Sequence, residues 1–312
     1  MTPLALLMTV ILGGTGDGSE KPTPEERALA YLAREVPRWP ADNKCFSCHN
    51  NGDGMRALCA AMRRGFHIPK RALTETTRWL GQPSQWDHNG GNDRQDDRKL
   101  ATIQFAATVV AALDAAVLKE RRPLLEAAER VARLQSKDGS WQVVARGSLG
   151  SATTLGDALA THLARQTLRR ADARKYAVAL KKADAWVRKR DVETVLDAAA
   201  VLLAIGKESD SAAQRRRCLE VIRKGESKGG WGPYVRSSPE VFDTAVVLLA
   251  LAGQEDTPRL RGMRQRGRRF LLTAQEKDGS WPETTRPSGN ISYAQHVSTT
   301  AWATLALLAT PP

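Results

Sequence analysis

The chain is 312 residues long, 42% hydrophobic and only 5% aromatic, and its 47 lysines and arginines against 34 aspartates and glutamates give a net charge of +13. That length exceeds one small domain and suits a single large helical ring, with enough apolar residues for an extended core. Alanine and leucine dominate the apolar set and no convincing run of alternating β-branched residues occurs, which argues against a β-rich fold and for helix throughout. The basic residues come as Arg169-Arg170, Lys181-Lys182, Arg188-Lys189-Arg190, Arg215-Arg216-Arg217 and Arg268-Arg269, spread over several helices rather than gathered with aromatics in one groove. The simplest reading is a solvated outer helix layer. An acidic surface partner, such as anionic lipid or polysaccharide, comes next, and nucleic acid is not expected.

In chain order, Thr2 to Gly14 carries an apolar run followed by small residues, too short to span a bilayer and similar to the hydrophobic part of a secretory signal. Residues 1–23 are therefore expected to be a signal-like segment and linker, and the protein to be exported, in a periplasmic or other extracytoplasmic compartment. Pro24-Glu25-Glu26 then starts a helix, with proline in the first turn and acids complementing the helix dipole. Outer helices are expected near 24–36, 70–80, 122–135, 172–189, 210–225 and 257–275, and inner helices near 54–65, 99–117, 153–169, 192–205, 240–252 and 293–309. The inner helices resemble one another, as in Asp157-Ala-Leu-Ala, Asp197-Ala-Ala-Ala and Asp243-Thr-Ala-Val, with separations of 40 and 46 residues. Such a period belongs to helical hairpins, none able to bury its apolar face alone. The expected fold is all-α, a single (α/α)6 toroid of about twelve helices over 24–312. The longer loops, around 81–98, 141–152, 229–239 and 281–292, should gather at one mouth of the ring.

The turn of the first hairpin holds Cys45-Phe46-Ser47-Cys48-His49. CxxCH is the attachment motif of c-type haem, in which two thiols form thioethers with the vinyl groups and the histidine binds iron. Cys45 and Cys48 are thus candidate haem anchors, His49 the candidate iron ligand, and Met62 and His67 candidate second ligands by reach. Zinc held by Cys45, Cys48, His49 and Cys59, or a Cys45–Cys48 disulfide, are the alternatives. Asp157, Asp197 and Asp243 start inner helices, where a carboxylate meets a helix N-terminus favourably, and they are also candidate acids or bases facing a cavity.

Near the C-terminus, RGRRFLLTAQEKDGSW (Arg266–Trp281) places Phe270, Leu271 and Ala274 on one helical face, ends the helix at Lys277-Asp278-Gly279, and anchors the turn with Trp281. A shortened copy runs from Gln135 to Trp141, and a worn one ends at Trp231 with Gly225 in place of the glutamine. This pattern resembles the QW repeat of the terpenoid cyclases, such as squalene–hopene cyclase, whose toroid is shared by protein prenyltransferase β subunits. The resemblance implies an (α/α)6 toroid in which glutamine and tryptophan tie neighbouring helices around a ring. In those cyclases the protonating acid lies in a DxDD motif, from which the nearest stretch, Asn92-Asp93-Arg94-Gln95-Asp96-Asp97, departs; neither Asp197 nor Asp243 is followed by the cysteine that prenyltransferases use for zinc. The leading expectation is an exported toroid with haem c, working with a redox partner and binding an apolar or sugar-like small molecule. A terpenoid-cyclase-like or polysaccharide-acting enzyme, and a haem-free binding scaffold, are the alternatives.

Overall fold

The computed structural model describes residues 21–89, 97–143, 150–206, 211–284 and 293–312. The apolar N-terminal stretch and all of Asn92–Asp97 except Asp97 lie outside the described residues. Helix α1 (Pro24–Asn43) opens with a capping box: Thr23 Oγ1 accepts the Glu26 N–H at 3.2 Å, and the Glu26 carboxylate accepts the Thr23 N–H at 2.7 Å. It runs through Pro37 and Pro40, well past the expected end at 36. The CxxCH motif accordingly does not sit in an open turn. Cys45 lies in a short link, and Cys48 begins a π-helical segment (Cys48–Asp53) that passes directly into α2 (Gly54–Met62).

The remaining helices alternate between two layers. The inner layer comprises α2, α4 (Arg98–Asp114), α6 (Asp157–Asp172), α8 (Val195–Ile205), α10 (Val241–Ala252) and α12 (Tyr293–Ala309). Each packs on the next and α12 returns to α2, which closes the ring. Around it lie α1, α3 (Thr74–Leu80), α5 (Arg122–Arg133), α7 (Ala177–Lys189), α9 (Ala212–Gly225) and α11 (Pro258–Ala274). The expected (α/α)6 toroid is therefore the observed fold. Helix α10 is buried along nearly its whole length because inner helices have protein on both sides, whereas α11 buries only Met263, Gly267 and Leu271. The expected helix at 70–80 reduces to a 3₁₀ turn and seven residues. There Thr74 and Thr77 turn their hydroxyls back to the Lys70 and Leu73 carbonyls, and β-branched residues of this kind are weak helix formers.

The repeated tryptophans show how the layers are tied. Trp141, Trp231 and Trp281 are fully buried, and each indole N–H donates at 2.7 Å to a carbonyl of its own outer helix, at Val131, Ile222 and Leu271. Each tryptophan backbone N–H donates to a threonine hydroxyl on the following inner helix, Thr161, Thr244 or Thr300. Glutamine makes the other tie, to the next outer helix: Gln135 Nε2 reaches the Ala179 carbonyl on α7 at 2.8 Å, and Gln275 Nε2 reaches the Pro24 carbonyl of α1 at 2.8 Å. The last copy thus fastens the end of the chain to its beginning. In the worn copy the glutamine position must be glycine, because a Cβ on Gly225 would lie 2.4 Å from Val195 Cγ2. The tie there is an ion pair instead, with Arg266 Nη2 2.9 Å from Glu226 Oε2.

Every outer-to-inner connection lies at the same end of the ring, so the N-termini of the inner helices form one rim and their C-termini the other. The segment 150–155 leaves the first rim and folds inward. Ser151 and Ala152 are completely buried, and the Ala152 carbonyl accepts a hydrogen bond from Ser298 Oγ of α12 at 3.2 Å. Helices α6 and α12 stand on opposite sides of the ring, so this strap crosses the axis and fills the mouth.

Candidate functional site

The site begins with the π-helical segment. Ser47 Oγ accepts the Asn50 N–H at 3.0 Å, while Asn51 Oδ1 accepts the Ser47 N–H at 3.0 Å. Asn51 Nδ2 also donates to the Val36 carbonyl at 2.8 Å and to Thr76 Oγ1 at 3.1 Å, pinning the segment to α1 and α3. On the other side Thr108 donates to the Gly52 carbonyl at 3.1 Å. A π-helical turn adds a residue to the helical path and re-aims the side chains beyond it, which is why such turns recur at functional sites. Here it directs Asp53 onto the axis.

Asp53 is wholly buried. Its Oδ2 accepts from Ser298 Oγ at 2.8 Å, Trp302 Nε1 at 2.9 Å and Gln104 Nε2 at 3.5 Å, and its Oδ1 faces Arg56 Nη1 at 3.0 Å. Three inner helices, α2, α4 and α12, therefore converge on one carboxyl group. Burial, only partly offset by Arg56, Ser298 and Trp302, pushes its pKa up to about 6. The Arg56 guanidinium lies over the Trp302 ring, 4.8 Å from its centroid. Sequence reasoning did not single out Asp53, although it precedes an inner helix much as Asp157, Asp197 and Asp243 start theirs.

Cys45, Cys48 and His49 stand on the rim four to eight residues before Asp53, and all three keep part of their surface exposed. Neither Cys45 nor Cys48 is disulfide-bonded, so the disulfide alternative is not formed. Cys48 Sγ lies 3.4 Å from His49 Nδ1, and burial of the imidazole lowers its pKa to about 4, leaving it neutral near pH 7. The Asn89 side chain clamps the link, accepting the Phe46 N–H at 2.8 Å and donating to the Phe46 carbonyl at 2.6 Å. That clamp carries His88, which is remote in sequence, to this edge of the rim. Beside His49, Asn50 is completely buried, yet neither its Oδ1 nor its Nδ2 finds a hydrogen-bond partner among the described residues. Met62 and His67 are not brought to His49: Met62 lies thirteen positions further along a continuous helical run, roughly 20 Å of rise, and His67 lies past the end of that helix. Cys59 faces the core, with burial pushing its thiol up to about 12. Among the described residues no group of three or more His, Cys, Asp and Glu side chains gathers to hold a metal ion, so the alternative zinc set of Cys45, Cys48, His49 and Cys59 is not assembled.

The three aspartates do not form one repeating set. Counted from the threonine that receives each tryptophan N–H, Asp157 lies four residues before Thr161, whereas Asp243 lies one before Thr244. Asp157 Oδ1 accepts the Val143 N–H at 3.0 Å and orders the rim loop. Asp197 pairs with Arg190 at 3.3 Å, and burial raises its pKa above the ordinary value, with Asp157 nearby adding to the rise. It lines a cavity of about 570 Å³ with Trp186, whose ring is covered by Arg190, 5.2 Å from the centroid. Asp243 is completely buried in the first turn of α10.

Residues 194–311 match the squalene-hopene cyclase C-terminal domain family. No curated protein sequence matches the chain. Among solved structures, the apo type II terpene cyclase MstE from Scytonema is similar at 14% identity with a TM-score of 0.57, over 91% of this chain and 98% of that one. MstE bound to its substrate geranylgeranyl dihydroxybenzoate is similar at 12% identity and 0.56, over 92% and 98%. The ent-copalyl diphosphate synthase from Streptomyces platensis is similar at 13% identity and 0.54, over 84% of this chain and 50% of that one. With its closed double ring and tryptophan-anchored turns, the chain has the α/α-toroid fold of the terpenoid cyclases.

Proposed function

We propose that this chain is a terpenoid-cyclase-like protein that takes an apolar, isoprenoid-type molecule on the axis of the ring and protonates it from Asp53. The observation that carries the reading is the wholly buried Asp53 carboxyl group, held by three inner helices and shifted to about 6. A group of that kind holds a proton close to neutral pH, and its surroundings are built to receive the charge left behind. In the step, the Asp53 O–H bond breaks and the proton joins one alkene carbon, whose π pair forms the new C–H bond. The positive charge passes to the other carbon, and the Asp53 carboxylate remains on Ser298, Trp302, Gln104 and Arg56. The π pair of a second alkene in the same molecule attacks that carbon, forming the ring C–C bond and moving the charge to the second alkene's far carbon. Loss of a proton from a carbon next to that charge, to water, then ends the reaction. The substrate reaches Asp53 from the rim once the 150–155 strap leaves Ser298. The test is incubation with squalene and with geranylgeraniol, followed by mass spectrometry of the products. Cyclised product is expected, increasing as pH falls through about 6, and decreasing about 100-fold or more in Asp53→Asn. Absence of cyclised product from the folded wild type with both substrates, or an unchanged rate in Asp53→Asn, refutes the reading.

The rim supports a second reading, a c-type haem attached through Cys45 and Cys48 with His49 as iron ligand. Two cysteines outside any disulfide, a neutral imidazole on the same turn and the orphaned Asn50 amide beside them suit that group. Haem would supply electron-transfer or small-ligand chemistry, and export and a redox partner belong to this reading. The chain's own part is to hold the link rigid through Asn89 and to keep His49 unprotonated. A pyridine haemochrome spectrum on protein made with its own N-terminal segment and a c-type maturation system should show a covalent haem that Cys45→Ala/Cys48→Ala abolishes; no haem under those conditions removes this reading.

A further inference from the structure

At the rim opposite the CxxCH turn, where the inner helices end, the ring opens into a basin of about 530 Å³. Arg56, Arg63, Arg169 and Arg170 line it, together with Asp114. Ala107, Val110 and Leu305 give it an apolar wall. Cations at helix C-termini answer the helix dipoles, and that alone accounts for some of this charge. It does not account for all of it. Arg170 is matched by Asp114 at 2.9 Å and Arg56 by the buried Asp53 at 3.0 Å. Arg169 reaches out to Asp184 at a longer 3.3 Å, a carboxylate it shares with Arg165. Arg63 has no carboxylate partner among the described residues and is exposed. The field of these groups is felt inside the ring. His162, on the same helix as Arg169, is held neutral, its pKa lowered to about 3 by burial and by Arg165, Arg56 and Arg169.

We propose that this basin is a binding site for a small amphiphile, its anionic head, a carboxylate or phosphate, on Arg63 and Arg169 and its aliphatic body against Ala107, Val110 and Leu305. The volume is that of a small-molecule site, and the pairing of an apolar wall with forked guanidinium donors selects both halves of such a ligand. The site is separate from the rim that carries Cys48, and although Arg56 lines it while holding Asp53, the head-binding Arg63 and Arg169 are not among the partners of Asp53, so the site stands whether or not the chain turns over an isoprenoid.

The test is titration calorimetry at low salt with monomeric decyl phosphate, decanoate and decanol, and co-sedimentation with vesicles containing anionic phospholipid. Both anions should saturate one site, with decanol weaker by about tenfold or more. Arg63→Ala/Arg169→Ala should lose about the same factor while keeping the wild-type melting temperature, and Arg63→Lys/Arg169→Lys should recover part of it. Three results overturn the proposal: equal binding of decanol and decyl phosphate, anion binding unchanged in the double alanine variant, or binding to vesicles with none to the monomeric amphiphiles. The last assigns the arginines to a membrane surface.

Discussion

Trp281→Ala is expected to lower the unfolding free energy by about 3–5 kcal/mol, the cost of emptying a fully buried aromatic site. The indole has no exposed surface, and its N–H is satisfied by the Leu271 carbonyl at 2.7 Å. Truncation opens a cavity between α11 and α12 and leaves that carbonyl unpaired. The position carries a second consequence that Trp141 does not, because its turn closes the ring. Gly279, at φ +93°, packs so tightly on α1 that a Cβ would sit 2.3 Å from the Arg27 carbonyl oxygen. Gln275 fastens the same turn to the Pro24 carbonyl, and Arg268 pairs with Glu25 while holding the Leu307 and Thr310 carbonyls at 2.8 Å. Loosening the turn should therefore free α1, and with it the CxxCH link. Urea unfolding gives the energy, and limited proteolysis near residues 22–27 gives the location. A loss below about 1 kcal/mol, or cleavage no faster than in Trp141→Ala, would show that the ring does not depend on this joint.

Asp53→Ala should be as damaging, about 3–5 kcal/mol, because it strands the Arg56 charge and the Ser298 and Trp302 donors around an empty centre. Asp53→Asn keeps the shape and should cost less at neutral pH. The pH dependence separates these effects. Asp53 has its folded pKa raised from 3.8 to about 6, so the folded state binds the extra proton between those values. Its contribution to stability is greatest below pH 3.8 and is lost as pH rises through about 6. Relative to Asp53→Asn, the wild type should thus lose up to about 3 kcal/mol between pH 4 and pH 7. Thermal unfolding of both proteins across that range measures it. A constant difference between them would mean that Asp53 titrates as an ordinary exposed carboxylate.

The repeats were legible in the sequence because each tryptophan tie is local to one hairpin. Gly139-Ser140-Trp141 and Gly279-Ser280-Trp281 mark the turns, and the alanine-rich runs after Asp197 and Asp243 mark helices buried on both sides. The substitution at Gly225 was visible, but its reason, the neighbouring Val195 side chain, was not. Helix limits were less legible at α1 and α3, where packing carried one helix through two prolines and back-bonding threonines shortened the other. The candidate site was legible only in part. CxxCH stood out because its five residues are contiguous. Asp53 did not, since its partners Gln104, Ser298 and Trp302 come from distant helices and share no spacing with it.

The sequence by itself determined the all-α class, the six hairpins and the tryptophan-anchored turns, because periodicity and turn chemistry act over tens of residues. Closure of the ring decided the rest. It brought α12 beside α2, placed Asp53 on the axis and drew the 150–155 strap across the mouth. Which side chains meet at the centre of a closed ring depends on the rotation and level of each inner helix, and those are fixed by packing between helices far apart in the chain.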